Sequence, residues 1–425
     1  MAWAIITGID CFRQHCQKNL FEESGFMKID RVRALHLGGQ WDYHEPLGEA
    51  SMTRPVHIYP ELKQRERRWP IADLSSGPPY PVEAHFLVID TDAGASGMFG
   101  PISSEDIFHI ERYFAELLID ENPHAVERIW DKMYRHAIHG RKGTPMMALS
   151  KVDLALWDLK GRLLDAPVYV LLGGPSRSRI RAYASMLGYS VEPDMVAERA
   201  KQVIANGFTA IKWFLPCDPK DGEPGLRRNL TVIGAARDAA GPDVDLMFDA
   251  WNSWDVPYTL RLAEMAAEYR PYWFEEPVMA DMIPQYAELR RSVRGVRISG
   301  GEHEYTRWGI KALLDAEAVH ILQPDVTWAG GLTEMTKICA LASAANIPVI
   351  PHHGEWASTH LIGAQTLTTC PMQEWLFQAG RYTNVFRKHK LEPVNGYIDL
   401  PDIPGLCTDL PETGIETMEE RVLAS

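Results

Sequence analysis

Three acidic residues stand at near-equal intervals: Asp249 in LMFDAWN, Glu275 in YWFEEPV and Glu302 in ISGGEHEY, 26 and 27 residues apart. Each closes a short apolar run that reads as a strand, and each run is followed by a stretch that reads as a helix. A repeat of that length is the strand–helix unit of a (β/α)₈ barrel, whose chemistry sits where the strands end. Three carboxylates gathered there repel one another unless a hard cation lies between them. Oxygen ligands of this kind suit Mg²⁺. The adjacent acids Glu276 and Glu304 are alternative ligands. Neighbours in a strand point to opposite sides, so only one of Glu275 and Glu276 faces the barrel mouth.

Further along stand Asp325 in LQPDVTW and the pair His352 and His353 in IPHHG. A carboxylate beside an imidazole sets its tautomer and raises its basicity. Facing a substrate held at a metal, such a pair is a general base for a carbon-bound proton. Spacing alone leaves both histidines open as that base. Glu374, in PMQEWL, ends the next strand candidate. In its protonated form it is a hydrogen-bond donor for an oxyanion. Lys212 in IKWF is expected at the mouth as a cation for a substrate carboxylate. His303, beside Glu302, is expected to touch the substrate or its leaving group.

Eight apolar runs could carry these residues: RIRAYASM, FTAIKWF, VDLMFDA, PYWFEEP, VRISGGE, VHILQPD, IPVIPHH and MQEWLFQ. Alanine-rich helical patterns separate most of them, and eight is the barrel count. Ahead of them, KIDRVRALHL and AHFLVIDTDAG alternate like strands, and helical runs follow at 103–120, 123–137 and 145–164. That order reads as an α+β domain. The predicted fold is therefore α/β, a (β/α)₈ barrel with an N-terminal α+β cap. The chain divides into an extension (1–26), the capping domain (27–165), the barrel (166–391) and a C-terminal segment (392–425) that returns to the cap. The extension has no basic start and no small-residue cleavage site, and Met27 is an alternative start.

The 425 residues, 46% of them hydrophobic, leave room for two cores. A net charge of −14 argues against nucleic acid or an anionic membrane as partner. No run of about 18 apolar residues is present, so no membrane span is expected. The six cysteines form no CxxC pair, which points away from zinc ribbons and disulfide frameworks and toward a reducing cytoplasm.

The order DxW, WFEEP, SGGE, QPD and PHH resembles the mandelate racemase subgroup of the enolase superfamily. Within it, WDYHEP, TRPVHIYPEL, VDLALWDLKG, SGGEHEYT, QPDVTWAGGLTE and EPVNG are most similar to the L-rhamnonate dehydratases. The resemblance implies that Asp249, Glu275 and Glu302 bind one Mg²⁺. It implies that Asp325 and His352 form the catalytic dyad, the family's spacing selecting His352 over its neighbour. It also implies a dehydration of L-rhamnonate or a related aldonate to the 2-keto-3-deoxy acid. Glu374 and Lys212 then support the oxyanion and carboxylate, and His44 and Arg54, in the loop-rich stretch 38–82, close over the sugar. A homo-oligomer is expected. One departure bears on the reaction: the subgroup's racemases carry a KxK motif whose second lysine is an opposite-face base. Here the three residues are Lys212, Trp213 and Phe214. The alternatives are a racemase or epimerase of a 2-hydroxy acid on the same fold, which Phe214 disfavours, and a non-catalytic sugar-acid binder, which the intact dyad disfavours.

Overall fold

The computed structural model describes residues 27–50, 52–63 and 77–425. The expectations for residues 1–26, and for part of the loop-rich stretch, lie outside the described residues. β1 (Ile29–Trp41), β2 (Tyr80–Thr91) and β3 (Ser96–Ile102) form an antiparallel sheet. Its alternation buries both faces. Val32, Ala34, Leu87 and Ile89 join the main core, while Leu35, Leu37, Val82, Ala84 and Phe86 pack with Phe386 in a second cluster. α1 (Ser104–Tyr113) and α3 (Thr144–Leu163) cover the first face, and α2 (Val126–His136) packs against α3. α1 starts at a capping box, in which Asp106 N donates to Ser103 Oγ and Ser103 N to Asp106 Oδ2.

Then the strand–helix rhythm begins. β4 (Arg179–Ser185), β5 (Ala210–Phe214), β6 (Asp245–Asp249), β7 (Trp273–Glu275), β8 (Arg297–Gly300), β9 (Ile321–Leu322) and β10 (Gln373–Leu376) form one parallel sheet in the order β10-β4-β5-β6-β7-β8-β9. The seventh expected strand, IPVIPHH, differs. It is held to its neighbour by parallel bridges, Leu322 with Val349 and Asp325 with His352, rather than by a ladder. Pro348 and Pro351 lack the N–H groups a ladder requires. Its Ile350 still joins Tyr183, Ala210, Met247, Trp273, Ile321 and Met372 in the cluster that fills the barrel. After the last unit, β11 (Tyr397–Asp399) pairs antiparallel with β4, and β12 (Ile415–Ala424) pairs antiparallel with β1.

α3 joins cap to barrel and is buried along most of its length. Trp157 Nε1 donates to Thr333 Oγ1 at 2.8 Å, and Ser150 Oγ accepts from Gly330 N at 2.9 Å. From α2, Trp130 Nε1 donates to Gly330 O at 2.8 Å. On α3, fully buried Asp158 accepts from Met98 N (2.9 Å), Leu406 N (2.8 Å) and Arg162 Nε (2.7 Å). One carboxylate thus ties β3, α3 and the C-terminal segment together. Asp158→Ala leaves those donors and a mostly buried guanidinium without it, so stability should fall by about 3–5 kcal/mol. A urea midpoint within error of the unaltered protein would refute this.

Candidate active site

Asp249 ends β6 and Glu275 ends β7, and the two are register partners, so their side chains stand side by side. Glu302 follows β8 by two residues. None of the three is more than 2% exposed, and their ligand atoms all lie within 4.8 Å of one another. The one lysine among them is Lys212 on β5, itself buried. Its Nζ is 2.6 Å from Glu275 Oε1, 2.9 Å from Glu374 Oε1 and 3.7 Å from Asp249 Oδ2. Trp273 Nε1 donates to Glu275 Oε2 at 2.8 Å, which orients that carboxylate. Burial, then the charge of Glu275, pushes the Asp249 carboxyl well above its ordinary range. Burial raises Glu302 to about 7, against the pull of His352. Acids that resist ionising together fit a site built for a divalent cation, and their oxygens are the donors Mg²⁺ prefers.

The alternative acids are engaged elsewhere. Glu304 is paired with Lys142 from the cap, at 2.9 and 2.8 Å. Glu276 sits at a positive φ of 41° and meets His303 Nδ1 at 2.7 Å and Asn252 Nδ2 at 2.6 Å.

His352 Nδ1 lies 2.8 Å from Asp325 Oδ2, and its Nε2 lies 3.5 Å from Glu302 Oε2. The other Asp325 oxygen accepts from Thr327 N at 2.6 Å and Thr327 Oγ1 at 2.7 Å. Lys151 of α3 in turn donates to Thr327 O at 2.5 Å. Burial pushes the His352 imidazole down, but Glu302 and the Asp325 bond outweigh it and raise the group to about 10. Asp325 is lowered: burial raises it, and the bond to His352 more than offsets that. His353 sits at a φ of +57° and donates its backbone N–H to Glu374 Oε2 at 2.9 Å. Glu374 is held down to about 2, because Lys212 and His352 overcome its burial. It is an ionised acceptor here rather than the protonated donor expected from sequence.

Around the mouth, the Trp328 ring lies 5.0 Å from that of His352 and 6.0 Å from that of His303. The Arg54 guanidinium stands 5.8 Å from the Trp251 ring, which also borders His303. His44 is not brought in. It is three-quarters exposed and pairs with Asp42 at 2.9 Å. Sequence reasoning passed over Asn252, Trp273, Thr327, Trp328 and Lys151. The signal for three of them was adjacency, in DAWN and QPDVTW.

Residues 195–413 match a family model described as Enolase C-terminal domain-like. Residues 84–173 match the Mandelate racemase / muconate lactonizing enzyme N-terminal domain. The chain belongs to this family. An L-rhamnonate dehydratase of Saccharopolyspora erythraea is 36% identical over 395 residues, 89% of this chain and 95% of the relative. Among solved structures, a rhamnonate dehydratase from Gibberella zeae complexed with Mg superposes with a TM-score of 0.77 at 29% identity, covering 92% of this chain and 95% of that one. A 3,6-anhydro-D-galactonate cycloisomerase from Zobellia galactanivorans does so with 0.70 at 33% identity, covering 80% and 94%.

In this member of the mandelate racemase / muconate lactonizing enzyme family, a cation held by Glu302 would compete with protons for it. Burial raises its carboxyl to about 7, and a divalent ion binds the deprotonated form. Mg²⁺ affinity should therefore fall by at least about tenfold for each pH unit below 7. Calorimetric titration across that range measures the slope. Glu302→Gln should bind more weakly throughout and with a shallower slope, the remainder belonging to Asp249, and a slope left unchanged in that variant would contradict the assignment.

Proposed function

We propose that the chain is a Mg²⁺-dependent hydro-lyase that dehydrates a sugar acid, L-rhamnonate or a related aldonate, to its 2-keto-3-deoxy acid. The observation that carries this is the Asp325–His352 pair with its second imidazole nitrogen turned toward the three-acid cluster. Asp249, Glu275 and Glu302 hold the cation. That cation supplies positive charge to offset the negative charge that develops on the substrate's carboxylate when the α-proton leaves. His352 Nε2 takes that proton, with Asp325 holding Nδ1 and so the tautomer. The same imidazolium then returns a proton to the departing 3-hydroxyl, so both events occur on one face and the elimination is syn. Glu374 fixes the turn after His352 through the His353 N–H, and Lys212 balances the acids behind the substrate carboxylate. Arg54 and His303 are assigned to the substrate's polar groups. His44, exposed as it is, reaches the sugar only if the cap loop closes further. We place the enzyme in the cytoplasm as a homo-oligomer. Four of its cysteines are free, and no described helix is long and apolar enough to cross a membrane.

The likeness to the cycloisomerase favours a second reading in the same chemistry. A 3,6-anhydro acid presents the same α-proton, but its C3 oxygen belongs to a ring, so elimination opens the ring. A panel of aldonates and 3,6-anhydro acids, assayed for 2-keto-3-deoxy products, separates the two. Turnover of none would remove the dehydratase reading. His352→Asn should lose turnover together with exchange of the α-proton for solvent deuterium. Asp325→Asn should keep the fold and lose at least about 100-fold in rate. Exchange that survives in the His352 variant would show that another group is the base.

A further inference from the structure

Glu302 belongs to two groups of ligand atoms. Besides Asp249 and Glu275, it lies with Glu276 and His303 in a set whose ligand atoms also fall within 4.8 Å of one another. His303 Nδ1 is 2.7 Å from Glu276 Oε2 and 3.6 Å from Glu302 Oε1. Ligands bonded to one tetrahedral ion at about 2.1 Å stand about 3.4 Å apart, so these separations need only small adjustments. Asn252 supplies an independent sign. It is only 7% exposed, its Nδ2 lies 2.6 Å from Glu276 Oε2 and 3.3 Å from His303 Nδ1, and its Oδ1 is buried with no hydrogen-bond partner. A half-turn of the amide exchanges those two atoms and aims the orphaned oxygen at the same spot. The His303 side chain is 29% exposed, which leaves a route in from solvent.

The two groups differ in chemistry. Asp249, Glu275 and Glu302 offer oxygen alone, which suits Mg²⁺. Glu276, Glu302, Asn252 and His303 add an imidazole nitrogen, which suits zinc and its transition-metal neighbours. We propose that Asn252, Glu276, Glu302 and His303 form a second site, for a transition-metal ion such as Zn²⁺, which overlaps the magnesium site through Glu302. On binding, the Nδ1 proton that His303 shares with Glu276 passes to solvent, and the metal takes its place between them. The two ions draw on one carboxylate and repel each other, so zinc acts as an inhibitor that opposes magnesium rather than replacing it.

This rests on the magnesium ligands assigned above, and the test separates the two. Zn²⁺ and Mg²⁺ are titrated separately, by calorimetry, into the metal-free full chain, its His303→Ala variant and its Asp249→Asn variant. Zinc affinity should fall by more than about 100-fold in His303→Ala, because loss of a ligand exceeds the 10–100-fold cost of an outer-shell change. Magnesium affinity there should stay within about threefold, which also reports that the variant is folded. Asp249→Asn should do the reverse. A zinc-edge anomalous map of the unaltered protein should place its peak beside His303 Nδ1. Unchanged zinc affinity in His303→Ala, or equal losses of both metals in both variants, would overturn the second site. Unchanged magnesium affinity in Asp249→Asn would instead sink the magnesium assignment and leave the zinc site standing.

Discussion

Buried negative charge is the constraint around which the barrel mouth is arranged. Asp249, Glu275, Glu276, Glu302, Asp325 and Glu374 are all nearly inaccessible, and among the described residues the basic groups in contact with them are Lys212, His303 and His352. Even with all three protonated, the acids outnumber them. The excess shows in both directions. Asp249 is pushed up by burial and by Glu275 despite Lys212 at 3.7 Å, while the bases are held charged, with His303 raised to about 9 against its burial. A divalent cation relieves both effects at once. It also bears on the base. After burial, Glu302 is the largest influence on His352, and it favours the proton. Sharing Glu302 with a cation would weaken that hold, so in the proposed mechanism occupancy of the metal site and availability of the base are linked through one carboxylate.

The cap is part of the same arrangement. Lys151 on α3 holds Thr327 O, Thr327 gives two hydrogen bonds to Asp325, and Asp325 holds His352. The helix that docks the cap on the barrel therefore also braces the loop that sets the imidazole's tautomer. Lys142, pairing with Glu304, fixes the cap to the segment that carries Glu302 and His303. A cap displaced by an ångström would disturb both loops, and orientation of that quality is what catalytic groups need.

Much of this was legible in the sequence, for a specific reason. A (β/α)₈ barrel repeats its unit, so acids at intervals of 26 and 27 residues fall on adjacent strand ends whatever the loops between them do. The choice between Glu275 and Glu276, or Glu302 and Glu304, was less legible. Glu276 and Glu304 are claimed by partners distant in sequence, Lys142 of the cap being one. The seventh strand was visible as an apolar run, but its two prolines reduce it to bridges. Lys212 was placed correctly on β5, yet expectation pictured a cation open to substrate, and the structure buries it among acids. His44 shows the opposite limit. A loop residue has no periodicity to fix its direction, and this one faces solvent.

The identity of the missing base follows from the same electrostatics. Inverting a carbon centre takes a second base on the face opposite His352, and β5 is where such a lysine stands in the two-base members. Position 214 is phenylalanine, whose ring lies 5.3 Å from Lys212 Nζ and accepts no proton. That leaves Lys212. A lysine serves as a base only when its surroundings favour the neutral amine, which requires a lowered pKa. Burial does lower it here, but Glu275 and Glu374 outweigh burial and hold the group well above its ordinary value. A cation at Glu275 would weaken one of those partners and leave the other at 2.9 Å. The ammonium therefore keeps its protons, which leaves His352 as the base in the proposed mechanism, once a cation at Glu302 has weakened the hold on the imidazole proton. One base on one face can start an elimination but cannot invert a stereocentre, and this sets the reaction apart from racemisation on the same scaffold.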